Sequence, residues 1–223
     1  MQNLLLDPRA IETERKVVME ERRTRTEDDP EGFLGEELSA IAFKSHPYRW
    51  PIIGWMEDLQ RITPEEVRAF YRTYYVPNNA LIVAAGDFKA PDLLERIRRH
   101  FDPIPLGPAP PPVKVVEPTQ QGERRVTVRK EAQLPLVFIG YPVPNFGSPA
   151  APALELLSVV LSEGRASRLY RRLVYEQQIA LNAGGDYSYF SADPNLFWFF
   201  ATPLPGQSAE AVERALMREV EQL

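Results

Sequence analysis

Apolar residues recur at helical spacing through much of the first hundred positions. Over residues 10–28, Ala10, Ile11, Val17 and Val18 form one stripe, and over 33–43 Phe33, Leu34, Leu38, Ile41 and Ala42 form another. Thr63-Pro64-Glu65-Glu66 predicts a helix start on three signals: Thr63 caps, Pro64 suits the first turn, and Glu66 completes a capping box. Val67, Phe70, Tyr71 and Tyr74 make the inward face of that helix. A further helix, from about Pro91 to Phe101, turns Leu93, Leu94, Ile97 and Phe101 inward. Between these two, after Pro77-Asn78-Asn79, the run ALIVAAG predicts a buried strand.

Prolines interrupt the pattern. Seven of them fall in FDPIPLGPAPPPVKVVEPTQQGE, where missing N–H donors and fixed φ exclude a helix or a central strand. We read residues 103–123 as a semi-rigid linker between parts 1–102 and 124–223. A long surface loop inside one domain is the other reading. Beyond it, RRVTVRK alternates as a half-buried strand and LPLVFIGY predicts a more buried one. Helices follow near 150–162 and through SRLYRRLVYEQQ. Two strands, near 180–190 and at LFWFFAT, then lead to a closing helix with Ala211, Leu216 and Val220 inward. Blocks of strands and helices, not strict alternation, give the fold class α+β.

Composition narrows the chemistry. The 223 residues are 44% hydrophobic and 26% charged, as in ordinary globular proteins of one large or two small domains. No apolar run reaches the roughly 20 residues of a membrane helix. The start MQNLLLDPRAIETERK lacks the charged start, long apolar stretch and cleavage site of a signal peptide. With no cysteine, disulfides, thiolate zinc sites and cysteine nucleophiles are out. The net charge of −5 argues against a general nucleic-acid grip. The two histidines, His46 and His100, are too far apart in sequence for a His-x-x-His or His-x-x-x-His zinc pair.

The segment Glu14-Arg15-Lys16-Val17-Val18-Met19-Glu20-Glu21-Arg22 stands out. On a helix Glu14 and Glu21, seven apart, project within about 20° of each other. Val17 and Val18 lie between them, so two carboxylates occupy the stripe expected to face the core. Buried carboxylates need a cation, a metal or a shifted pKa. Two readings stay open: a metal ligand with a supporting carboxylate, or a structural pair bridged to arginines such as Arg25.

The segments ERKVVMEE, HPYRWPIIG, ITPEEVRAFYRTYYVPNNALIVAAGD and SRLYRRL, in this order and spacing, resemble the pitrilysin/insulinase-type zinc metallopeptidases, the M16 family. The likeness covers nearly the whole chain. It implies the M16 (LuxS/MPP-like) metallohydrolase fold: residues 1–102 as the later part of a first zinc domain and 124–223 as the earlier part of a similar second one. In this family two histidines and the general-base glutamate come from a His-x-x-Glu-His motif, and a later helix supplies a third zinc ligand. The resemblance puts that ligand at Glu21 and a second, supporting family glutamate at Glu14. It implies Zn2+ in the complete protein.

The departures matter equally. The His-x-x-Glu-His motif is not in this chain, and its family position lies upstream of Met1. We therefore expect a fragment, inactive by itself, of a zinc-dependent metalloendopeptidase acting on peptides or unfolded polypeptides. His46 is expected to serve packing or a turn, and His100 to be exposed or capping. Family members also carry an Arg and a Tyr, seven apart, that bind substrate backbone. Alignment on SRLYRRL puts Val174 and Leu181 there, and neither can donate a hydrogen bond. Tyr175 and Tyr187 are out of register. The pattern resembles the zinc-bearing subunit of two-chain bacterial members, whose M16 partner supplies the Arg/Tyr pair in a heterodimer. The alternative is a non-catalytic subunit of the same fold, acting in assembly or substrate binding.

Compartment is not readable, and a soluble protein of the bacterial periplasm or cytoplasm is expected. Ser167 lacks a basic partner for nucleophilic use. Gly164 and Gly184-Gly185 read as turn glycines and not a phosphate loop. The basic run Arg165, Arg168, Arg171 and Arg172 reads as a solvated face able to meet a partner. Phe197, Trp198, Phe199 and Phe200 read as sheet core.

Overall fold

A computed structural model describes residues 3–222. In chain order its helices are α1 (Pro8–Arg22), α2 (Pro30–Ala42), α3 (Met56–Arg61), α4 (Pro64–Tyr74), α5 (Ala90–Phe101), α6 (Ala151–Ser162) and α7 (Ala209–Glu221). The strands are β1 (Val137–Val143), β2 (Ala180–Tyr187) and β3 (Asn195–Pro203). Two segments, Arg23–Glu27 and Tyr170–Glu176, wind as π-helix. None of the helices is long and apolar enough to cross a membrane, among the described residues. The chain forms two compact units, each discontinuous in sequence: Met1–Arg22 with Ile53–Val115, and Arg23–Ile52 with Val116–Leu223.

The first unit is helical. Its α4 begins with the capping box read from sequence. The Thr63 hydroxyl accepts from the Glu66 amide at 3.2 Å, and the Glu66 carboxylate accepts from the Thr63 amide at 2.8 Å. Those Thr63 donors hold the Glu66 carboxyl below its usual range. Leu59 and Val76 are buried. Gly107 is held against Val76 by reciprocal hydrogen bonds with the Asn78 side chain at 2.9 and 3.2 Å. A β-carbon there would lie 2.2 Å from Val76 Cγ1, so only glycine fits.

The run ALIVAAG does not form the predicted strand. It is extended at its start, unpaired and exposed, with Leu81 at 88% and Val83 at 82%. A strand needs ladder partners for its N–H and C=O groups. All three strands among the described residues belong to the other unit. Phe70, Leu94 and Phe101, expected inward, are 57%, 47% and 37% exposed.

The second unit is built on an antiparallel sheet in the order β1-β3-β2. Central β3 aligns Phe200 with Phe138 and Gly184, and Phe199 with Ile139 and Gly185. Side chains alternate between its faces. Phe197 and Phe199, ring centres 4.7 Å apart, and Ala201 join the core. That core takes Leu161 from α6, Leu169 just before the π segment and Leu173 within it, and Val212 and Leu216 from α7, all fully buried. On the alternate register, Trp198 meets Phe138 edge to face, and Gly35 of α2 lies against both.

Three expectations change here. RRVTVRK keeps its alternation, with Arg124, Val126 and Val128 half-buried, yet it pairs with no strand. SRLYRRLVYEQQ is helical but mostly of π winding. Gly184 and Gly185 are not turn residues; they lie inside β2. A β-carbon would come 2.8 Å from the Phe200 ring at Gly184 and 2.6 Å from the Trp198 carbonyl at Gly185, so glycine admits the aromatic strand. Gly164 is a turn glycine, with φ +73. From 103 to 123 there is neither helix nor strand, as expected where prolines remove N–H donors and fix φ.

Candidate functional site

Helix α1 carries the two sequence-marked carboxylates, and arginines fix its orientation. Its packed stripe runs Ile11, Arg15, Val18, Arg22, a spacing that returns to one face. The Arg15 guanidinium donates to the carbonyls of Gln60 and Ile62, both at 3.0 Å. Arg22, 5% exposed, donates to the Gly54 carbonyl at 2.8 Å and lies 5.7 Å from the Trp55 ring centre. These carbonyls flank short α3, whose terminal oxygens lack partners within the helix. A long guanidinium stem buries its methylenes while its N–H groups satisfy them.

This turns the buried face about a quarter-turn from the one expected, with Ile11 and Val18 common to both. Arg15 and Arg22 are inward, whereas Glu14 is exposed, Glu21 is half-buried and Val17 is 54% exposed. Glu14, Val17 and Glu21 thus share a flank about a quarter-turn from the packed stripe. Glu20 is exposed.

Seven residues place Glu14 and Glu21 about 10 Å apart along the axis, so they do not start from the geometry of two donors on one ion. Among the described residues no three His, Cys, Asp or Glu side chains converge as a metal site. Among the described residues, Glu14 and Glu21 thus make no complete zinc site. His46, in the second unit, is 5% exposed and caps the turn Pro47–Arg49: its Nδ1 accepts from the Tyr48 amide at 3.2 Å. Its Nε2 faces Asp193 at 3.4 Å. His100 sits exposed in the last turn of α5.

Val174 packs against the core and Leu181 is 56% exposed on β2. Tyr187 is buried with its hydroxyl donating to the Pro144 carbonyl at 2.6 Å, whereas Tyr175 is 73% exposed. Ser167 is buried. The basic run is balanced by acids: Arg168 pairs with Glu219 at 3.1 Å, and Arg171 and Arg172 both reach Glu176 at 3.2 and 2.6 Å.

One constellation had no signal in the sequence. In the second unit the Glu117 carboxylate accepts the consecutive backbone amides of Lys44, Ser45 and His46 at 2.6, 2.8 and 2.8 Å. Desolvation opposes its ionisation. The three amides and the nearby positive Arg124 outweigh it and hold the carboxyl below its usual range. A pattern search finds side-chain spacings, and a cradle of backbone amides leaves none.

Residues 61–223 match the family model described as the Peptidase M16 inactive domain. The zinc protease PqqE of Helicobacter pylori is 35% identical over 213 residues, which is 94% of this chain and 48% of that protein. The crystal structure of a protease from Helicobacter pylori superposes with a TM-score of 0.93 at 34% identity, over 99% of this chain and 53% of that one. A peptidase M16 inactive domain from Pseudomonas fluorescens has a TM-score of 0.80 at 15% identity, covering 97% of this chain and 52% of that one, a likeness of fold. The chain thus spans about half the length of these relatives.

Proposed function

Since the chain belongs to the M16 peptidase family, we propose that it is part of a zinc-dependent metalloendopeptidase that hydrolyses peptides or unfolded polypeptides. The observation that carries the reading is the flank of α1. Glu14 and Glu21 share one side of a helix whose rotation is set by other residues, Arg15 and Arg22. In this reading Glu21 gives one carboxylate to the metal of the complete protein, Glu14 supports it, and the histidines come from outside these 223 residues. When bound, zinc supplies Lewis-acid polarisation and an activated water.

Residues 1–102 and 124–223 would then belong to two similar domains joined by 103–123. Val174 and Leu181 offer no donors, which supports an M16 partner that brings an Arg/Tyr pair to the substrate backbone. A bacterial periplasmic or cytoplasmic compartment completes the proposal. One observation favours a second reading, a non-catalytic subunit acting in assembly or substrate binding: the matched family model is described as an inactive domain.

A peptidase assay separates the two. The isolated chain is expected to have no chelator-sensitive activity, while the complete polypeptide with its partner cleaves unfolded substrate and stops on chelation. Activity of the isolated chain that is lost to a chelator and restored by zinc would refute its predicted inactivity. A complete, partnered protein without activity would favour the assembly subunit.

A further inference from the structure

The end of α2 and the turn after it border an open cavity of about 400 Å³, lined by Ala40, Ile41, Phe43, Lys44, Arg49 and Arg124. That volume lies within the range of small-ligand sites. Three of the six lining side chains are cationic and none is acidic. Arg124 donates to the Ile41 and Ala42 carbonyls at 2.8 and 2.6 Å, and Arg49 to the Lys44 carbonyl at 3.0 Å. These bonds position both guanidinium groups; the charge of Arg124 also faces the Glu117 carboxylate, whereas no acid is paired with Lys44 or Arg49 in the lining. Half-buried Ile41 and the edge of buried Phe43 form the small apolar part of the lining. At its rim, the backbone amides of Lys44, Ser45 and His46 already hold one carboxylate, that of Glu117. The same chain thus shows which anion this corner accepts.

We propose that this cavity is a second binding site, which takes the C-terminal carboxylate of a polypeptide whose last residue is apolar. Arg49, Lys44 and Arg124 meet the carboxylate, in the fork geometry that guanidinium groups favour. Ile41, with the edge of Phe43 behind it, meets the last side chain. A carboxylate one bond from the carbon that bears an apolar side chain is what a chain terminus presents. An internal Asp or Glu brings its charge on the side chain itself and has nothing for the apolar part of the lining. All lining residues belong to the second unit, so the site stands independently of the zinc reading.

The test is calorimetric titration of the 223-residue chain with an acetylated tetrapeptide ending in leucine, as the free acid and as the C-terminal amide. The free acid is expected to bind at least about tenfold more tightly than the amide. The double substitution Lys44→Gln/Arg49→Gln, at two exposed side chains, is expected to weaken the acid about tenfold while leaving the thermal midpoint unchanged. Arg124→Gln is avoided because Arg124 caps α2. Equal binding of acid and amide, no binding of either, or unchanged affinity in the double variant would overturn the proposal. Equally effective competition by inorganic phosphate would also overturn it, by reducing the site to a general anion patch.

Discussion

The Arg22 side chain donates to the Gly54 carbonyl at 2.8 Å, which ties the last turn of α1 to the segment entering α3. Arg15, two turns earlier, makes the matching contacts at the far end of α3. Two anchors seven residues apart fix a helix against rotation as well as translation. The side on which Glu14 and Glu21 project therefore follows from arginines that are not themselves part of the proposed metal site.

Replacing Arg22 by Met keeps most of the stem and removes the donors. The Gly54 carbonyl then loses a charged partner, and the Trp55 ring loses the cation beside it. A loss of about 2 kcal/mol is expected in urea unfolding followed by tryptophan fluorescence. A change below about 0.5 kcal/mol would show that the contact does not hold α1 in place.

Glycines in β2 give a sharper contrast. Gly185→Ala sets a methyl 2.6 Å from the Trp198 carbonyl and 2.7 Å from the Phe199 ring. It is expected to cost about 1–3 kcal/mol through overpacking. Gly122→Ala meets nothing within 4 Å and is expected to be near neutral. Equal effects in thermal unfolding would contradict the described approach of β3 to β2.

Glu117 links the proline-rich segment to the end of α2 in a pH-dependent way. Its folded pKa is depressed, so its contribution is present above the pKa of an unfolded carboxylate, near 4.5, and fades as pH falls through the lower folded value. Amide exchange at Lys44, Ser45 and His46 is expected to be slow at neutral pH and to accelerate, relative to the intrinsic rate, only in acid. Glu117→Gln removes the charge and keeps the shape, and it is expected to give faster exchange at neutral pH. Unchanged protection in that variant would remove the ionic component of this contact.

Elements whose cause is local were legible in the sequence. The Thr63–Glu66 box, the helix α2, the stripe of α7, the strands β1 and β3, and the lack of regular structure around Pro110-Pro111-Pro112 all follow from residues close in the chain. ALIVAAG and RRVTVRK failed for the opposite reason, because a period or an apolar run specifies an extended segment but not the strand beside it. Gly184 and Gly185 looked like turn residues because the Phe199 and Phe200 rings that require them come from another strand. On α1 the two-glutamate face is legible, but its exposure is not. Arginine reads as polar in a pattern, whereas Arg15 and Arg22 bury their stems and donate to carbonyls on either side of α3. The Glu117 cradle consists of backbone amides and could not be read.

The central claim is that Glu21, and not its neighbour Glu20, gives the metal a ligand in the complete protein. The most direct measurement is zinc content per polypeptide after dialysis, for the complete protein and its Glu21→Gln and Glu20→Gln variants, with peptidase activity measured alongside. Loss of a single ligand is expected to lower zinc retention and activity at least tenfold in Glu21→Gln, an effect of about 1.4 kcal/mol or more. Glu20→Gln is expected to retain both. Equal loss in the two variants, or full zinc in Glu21→Gln, would contradict the account.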